Sequence, residues 1–206
     1  MKKIMFNDKY GLTKAVLEGR KTQTRRLVKC PKVFNSVYVS GFRVARNAAG
    51  DWRTYLVDED EQEIEGSYLK SAYVVGEEVA VAQNYKDAGL DPFHLVSAEG
   101  DGVNAMDVPG WDNKMFVRAD LMPNRIMITN VRVERLQFIS EEDCINESVE
   151  KLNWEHSKEF YYMTKATPHR YNLAKDAFAS LIDKTCGKGT WDSNPWVFVY
   201  DFELIK

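Results

Sequence analysis

"RIMITNVRVERLQFISEEDCINES", residues 125–148, changes its period part-way along. Ile126 and Ile128 alternate with neighbours on the other face, and Val131 and Val133 do the same, which is the period of a β-strand. "SEED" follows, with Ser140 and Asp143 at capping-box spacing. A helix is therefore predicted to start at Ser140 and to run past Glu147. A long strand that hands over to a capped helix sets a mixed α+β reading for the chain.

Downstream, residues 150–170 are mixed, and "KEFYYM" (158–163) is expected to be helical. From Asn172, the positions Ala174, Ala177, Phe178, Leu181 and Ile182 form one stripe of an amphipathic helix ending at Gly187. "GKG", Gly187 to Gly189, reads as its C-terminal cap and turn, since the other residues of a phosphate-binding loop are missing. The chain closes on "NPWVFVYDFELI" (194–205), whose apolar, β-branched and aromatic density predicts a buried strand.

Upstream, Leu12, Ala15, Val16 and Gly19 follow helical spacing, so residues 9–18 are expected to form a short helix. Asn7 or Asp8 would cap its start, with Gly19 just past its end. "KTQTRRLV" (21–28) then alternates as a strand. Residues 36–57 read as two strands around "NAAGD", and a third strand is expected after the acidic run "DEDEQEIE" (58–65), itself read as a solvated turn. A turn at Gly76 precedes a strand with Val79 and Val81. Residues 86–114, rich in Gly, Asp and Pro, read as an irregular insertion over the surface.

Strands and helices are not regularly interleaved, so a doubly wound parallel fold is disfavoured. The expected fold is α+β, a curved, mostly antiparallel β-barrel with flanking helices. It would form a single domain over residues 1–206, with insertions at about 30–70 and 86–114.

The bulk numbers agree with a globular chain. Of 206 residues, 44% are hydrophobic and 29% charged, and the formal net charge is −3. No apolar run is long enough to span a membrane and the N-terminus lacks an apolar signal core, so a cytoplasmic location is expected. Cys30, Cys144 and Cys186 form no CxxC pair, and His94, His156 and His169 lack ligand spacing. Neither a metal site nor a cofactor is expected.

The acidic balance makes one basic stretch conspicuous. "LEGRKTQTRR" (17–26) gathers Arg20, Lys21, Arg25 and Arg26 around Thr22 and Thr24. Taken alone, these residues also suit a helix C-terminus, where cations stabilise the dipole by about 0.3–1 kcal/mol each.

Three blocks together resemble the ASCH-domain family of the PUA-like superfamily, in its longer bacterial and phage form. "AVLEGRKTQTRR" is similar to the motif G-x-K-x-x-[E/T]-x-R through Gly19, Lys21, Thr24 and Arg26. "VRVERLQFISEEDCINES" is similar to the family's strand and capped helix, and "GTWDSNPWVFVYDFELI" to its closing W-D-x-N-P-W-V segment. Residues 30–70 and 86–114 are not covered by the resemblance. Two departures stand out: Gln83 falls near a position where the family tends to carry a carboxylate, and "LMPNRI" lacks a tryptophan often found there.

The resemblance implies a PUA-like barrel with a cleft for RNA or a modified nucleoside. It also implies a possible amidohydrolase of acetylated cytidine, or a ribonuclease. For the amidohydrolase it implies Lys21, Thr24 and Glu147 as the catalytic set. Gly19, Arg20, Arg25, Arg26 and Asn194 would bind the ligand. Trp191, Trp196 and Phe198 are expected in the core, with one of them open to base stacking. Three functions follow: a binding module with a basic cleft, a hydrolase of an acylated nucleoside amine, and an interaction protein working through residues 86–114.

The chemistry asks for a lysine with a lowered pKa, since only a neutral amine takes a proton from a threonine. Neighbouring arginines would lower it and Glu147 would raise it. In a regular strand Lys21 and Thr24 would point to opposite faces, so a bend must separate them if both line one cleft.

Overall fold

The computed structural model describes residues 1–28, 31–46, 52–69, 71–91, 107–154 and 160–205. A five-stranded sheet forms the centre. Its strands are β1 (Lys2–Ile4), β2 (Gln23–Leu27), β8 (Glu78–Val81), β9 (Arg125–Arg135) and β13 (Trp196–Ile205), in the order β1-β8-β9-β13-β2. Only the β1–β8 pair is parallel. A short hairpin joins β3 (Val33–Phe34) to β4 (Val37–Tyr38). Two antiparallel three-stranded sheets are appended: β5 (Gly41–Arg46), β6 (Trp52–Val57) and β7 (Glu63–Leu69), and β10 (Glu150–Asn153), β11 (Phe160–Thr164) and β12 (Thr167–Tyr171). The helices are α1 (Leu12–Leu17), α2 (Glu141–Asn146) and α3 (Ala174–Cys186). The fold is α+β and mostly antiparallel.

The central sheet is covered on both faces, which explains the continuous apolar run of β13. Val197 and Val199 pack on α3 through Phe178 and Leu181. Phe198, Tyr200 and Phe202 pack with Phe6, Ile126 and Ile128 on the other side. The two alternating pairs of β9 are out of phase in sequence, yet Ile126, Ile128, Val131 and Val133 share one core. A bulge reconciles them. Asp201 pairs with Asn130 and Phe202 with Ile128, so Thr129 is the extra residue and the phase resets there.

Ser140 caps α2 as predicted, its hydroxyl accepting from Asp143 N at 3.0 Å. The Asp143 carboxylate does not return to the cap, because it is taken by Gln23, Arg25 and Arg132. The helix stops at Asn146 rather than running past Glu147, since Ser148 adopts φ 84°. The first helix is shorter than the predicted 9–18 and is entered through Gly11 at φ 67°. Asn7 contributes its carbonyl to Leu12 N, and the Asp8 carboxylate accepts from the Thr13 hydroxyl. The strands at 41–46, 52–57 and 78–81 match expectation, as do α3 and β13, while the third strand of the appended sheet starts at Glu63, inside the acidic run read as a turn, because Ile64 is buried there. The "NAAGD" turn, Cys30, His94 and His156 lie outside the described residues.

Three expectations are corrected. Phe160–Thr164 is a strand, because Tyr162 and Thr164 are buried while Phe160, Tyr161 and Met163 are not, and Tyr162 seats its ring in the core beneath α3. The insertion at 86–114 is more than surface loop: residues 92–106 lie outside the described part, but Val108 is buried in a small core with Tyr85, Val117 and Met122. A closed barrel is not found among the described residues. The strand order leaves β1 and β2 at opposite ends. β1 has only three residues, and Thr22, just before β2, is tied to the end of α2 by its N–H on Asn146 O at 3.0 Å. No described helix is long and apolar enough to cross a membrane.

Replacing the α2 cap, Ser140→Ala, should cost about 1 kcal/mol, read as a fall of about 2–4 °C in Tm for a chain of this size. An unchanged Tm would show that the cap is dispensable.

Candidate functional site: a buried ion network at the free edge of β2

Two helix ends place the key side chains. Gly19, at φ 71°, turns the chain out of α1, and the N–H groups of Arg20 and Lys21 both donate to Ala15 O at 2.9 and 3.0 Å. This tight return bends the chain ahead of β2. Lys21 therefore lies outside the strand and escapes its alternation. Glu147 follows the last turn of α2, its N–H on Asp143 O at 2.9 Å. The bond from Thr22 to Asn146 locks the two helix ends side by side.

β2 is an edge strand, paired only with β13. Its ladder is bracketed by Phe202 N on Thr22 O at 2.8 Å and Val28 N on Trp196 O at 2.9 Å. Thr24 and Arg26 thus occupy hydrogen-bonded pairs with Tyr200 and Phe198. The N–H and C=O groups of Gln23, Arg25 and Leu27 consequently turn towards the free edge. A cavity of about 280 Å³ is lined by Thr24, Arg26, Phe6 and Leu12 from one face of the sheet. From the other face come Arg25, Phe178, Leu181 and Ile182, with Lys21 and Glu147 between. A cavity lined from both faces of a sheet has to pass round its edge, and here the edge is β2.

The polar floor is an ion network. Lys21 Nζ donates to Glu147 Oε2 and, at 3.3 Å, to the Glu147 carbonyl. The two side chains are 2% and 5% exposed. Arg25, 1% exposed, donates through Nη2 to Glu134 Oε1 at 2.7 Å and Asp143 Oδ2 at 2.9 Å, and through Nη1 to Glu147 Oε1 at 3.3 Å. Its Nε has no partner. Arg132 joins Asp143, Asp201 and Glu134 at 2.9, 2.8 and 3.2 Å. Burial pulls the Lys21 amine below the ordinary lysine value of 10.5; the Glu147 carboxylate opposes this, and Arg26 and Arg25 add to it. Burial raises Asp143, but the Gln23 hydrogen bond with Arg25 and Arg132 outweighs it, and the carboxyl titrates below the ordinary aspartate range. Burial also pushes the Cys144 thiol up to about 12, which leaves it inert as a nucleophile.

The three residues carried as a catalytic set, Lys21, Thr24 and Glu147, line the one cavity, and so do Arg25 and Arg26. The remaining expected ligand contacts do not. Gly19 serves the turn alone. Arg20 points outward to Glu18 and Glu150, at 2.5 and 3.6 Å. Asn194 is a turn residue at φ 41°, its Oδ1 accepting from Gln137 N at 2.9 Å and its carbonyl from Arg135. Gln83 binds Asn124 at 2.8 Å, away from the cavity. Trp191 packs edge-on to Phe178, as expected of a core residue.

Sequence reasoning missed the α3 wall. Its apolar stripe continues past Ile182 to Thr185 and Cys186, and Phe178 and these last turns line the cavity. The helical spacing was legible, but a stripe facing core and a stripe facing a cavity look alike in sequence. It also missed how far the cations of the cleft are engaged within the protein: Lys21 is met by Glu147, and Arg25 by Glu134, Asp143 and Glu147. Among the described residues, no group of three or more His, Cys, Asp or Glu side chains is placed to hold a metal ion.

Removing Arg25 (Arg25→Ala) would strand buried carboxylates and should cost about 3–5 kcal/mol by denaturant unfolding. Arg26→Ala, which loses one hydrogen bond to Met5 O, should cost about 1 kcal/mol. Equal losses would mean that the network does not hold the site together. No protein-family model, curated protein or solved structure matches this chain.

Proposed function

We propose that this protein is a small amidohydrolase that removes an acyl group from the exocyclic amine of a nucleoside, with the ASCH-type set Lys21, Thr24 and Glu147 on a PUA-like scaffold. The observation that carries this reading is the desolvated Lys21–Glu147 pair beside Thr24 in one cavity. At about 280 Å³ the cavity lies near the lower end of small-ligand sites, roughly 300–1,000 Å³, so it suits one base and its substituent. Apolar walls from Phe6, Leu12, Phe178 and Leu181 suit an uncharged ring.

The Thr24 hydroxyl makes no hydrogen bond to another described residue, so it is available to a ligand. Neutral Lys21 takes its proton as Thr24 Oγ bonds to the acyl carbon. Lys21 then returns the proton to the departing nitrogen as the C–N bond breaks. Water hydrolyses the Thr24 ester by the same proton path, releasing the acid and restoring the hydroxyl. Glu147 holds the lysine in place. The Arg25 N–H, turned to the free edge beside Thr24, is the donor for the developing oxyanion. A polyanion-binding cleft is less well supported, because Lys21 and Arg25 are already engaged by carboxylates.

Purified protein should release acetate from N4-acetylcytidine, with Lys21→Met and Thr24→Val each lowering kcat by about 100-fold or more. Folded protein inert towards a panel of acylated nucleosides would end the proposal. The base form of Lys21 is the active one, so kcat/KM should rise with pH through a pKa below 10.5. Glu147 raises that pKa, so Glu147→Gln should move the rising limb to lower pH; a shift to higher pH, or none, would remove Lys21 from the role of base.

A further inference from the structure

Lys114 closes the 86–114 stretch, and its ammonium group, which has three N–H donors, meets three acceptors at one place. It donates to the Phe6 carbonyl, to Asp8 Oδ2 at 2.7 Å and to Thr13 Oγ1 at 3.2 Å, and its side chain is 17% exposed. Lys3 returns the tie from β1: its Nζ donates to the carbonyls of Met115 and Val117, both at 2.7 Å. The platform behind Lys114 is itself packed. Val108 and Val117 are buried with Tyr85, and Tyr85 N donates to Gly110 O at 2.9 Å.

The stretch that Lys114 holds is a wall of the cavity, lined by Met5, Phe6, Asn7 and Leu12. The Phe6 ring, 4% exposed, lies 5.9 Å from Lys21 Nζ and 5.7 Å from the Arg26 guanidinium. Arg26 pairs with no carboxylate among the described residues, and its Nη2 donates to Met5 O at 2.7 Å. The ring acts on Lys21 in two opposed ways. Its face attracts an ammonium, but 5.9 Å is near the limit of about 6 Å for that attraction, and Arg26 shares the ring. Its bulk keeps water from the amine, and desolvating an ion costs more than so distant a ring contact returns. Phe6 therefore favours the neutral amine.

We infer that Lys114 is a positioning residue for the reaction: from the inserted stretch it fixes Phe6 over Lys21 and so keeps the base out of water. The inference rests on the proposed role of Lys21 as that base. It gives the 86–114 stretch a part in the site, although none of its described residues lines the cavity. Glu147 faces the amine from the end of α2, and Arg25 and Arg26 from β2. From α3, Phe178, Leu181, Ile182 and the Cys186 thiol reach the same cavity. None of these is a partner of Lys114, so its removal acts on the amine through Phe6.

The test titrates Lys21 in the whole chain through the NMR signal of its Cε, assigned by its loss in Lys21→Met, beside the pH profile of kcat/KM for N4-acetylcytidine. Lys114→Met should move both midpoints up, towards 10.5, because a loosened Phe6 lets water reach the amine. Below the midpoint kcat/KM should fall by roughly tenfold, while its plateau above the midpoint holds. Phe6→Leu should do the same. Adding Lys114→Met to Phe6→Leu should move the midpoints little further, since both act through one ring. Lost stability alone lowers kcat/KM alike at every pH and leaves the midpoints in place. An NMR midpoint that stays or falls in Lys114→Met, or shifts that add in the double variant, overturns the inference while leaving the hydrolase standing. A protein inert to acylated nucleosides whose NMR midpoint still rises loses the hydrolase reading and keeps the tie between Lys114 and the Lys21 amine.

Discussion

The contact between Lys21 and Glu147 holds this site in being. The residues are 126 positions apart and both are withdrawn from water. Neither charge would be tolerable there alone, because desolvating an ion costs several kcal/mol. The cost is offset by sharing: Arg25 and Arg132 spread the positive charge over Glu134, Asp143 and Asp201, and Gln23 fills the remaining acceptors. The network ties α2 to β2, β9 and β13, so the geometry of the cavity floor and the docking of α2 are the same problem.

That constraint also bears on the open sheet. An edge strand exposes unpaired N–H and C=O groups and is normally covered or blunted. Here the end of α2 and the return after α1 cover one end of β2, and the cavity occupies part of what is left. Pairing β2 with another strand to close a barrel would fill the space that the site uses. The edge is where chain polar groups, a buried amine and an apolar wall meet.

Much of the scaffold was legible in sequence because its signals are local. The Ser140 cap, the α3 stripe, the Gly19 stop and the apolar run of β13 each follow from a few neighbouring residues. The bulge at Thr129 was not read from sequence, because it is set by the pairing of β9 with β13. Phe160–Thr164 was misread because its aromatic run has no long period and is decided by the core that receives Tyr162. Arg20 and Asn194 belong to the segments that carry the family resemblance, yet one faces solvent and the other closes a turn. A motif marks which segment is present, and side-chain direction depends on where the backbone bends.

The sequence by itself determined the Ser140 cap, the α3 stripe, the strands β9 and β13 and the gathering of Lys21, Thr24, Arg25 and Arg26 in one stretch, since helix periodicity, capping and strand alternation act over a few residues. Only the tertiary structure decided that Glu147 meets Lys21, that Arg25 is spent on carboxylates, and that Arg26 alone of that cluster's cavity-lining cations stays free. These are matters of charge and burial between segments more than a hundred residues apart, and Coulomb interactions and desolvation depend on distance in space, which local pattern does not carry.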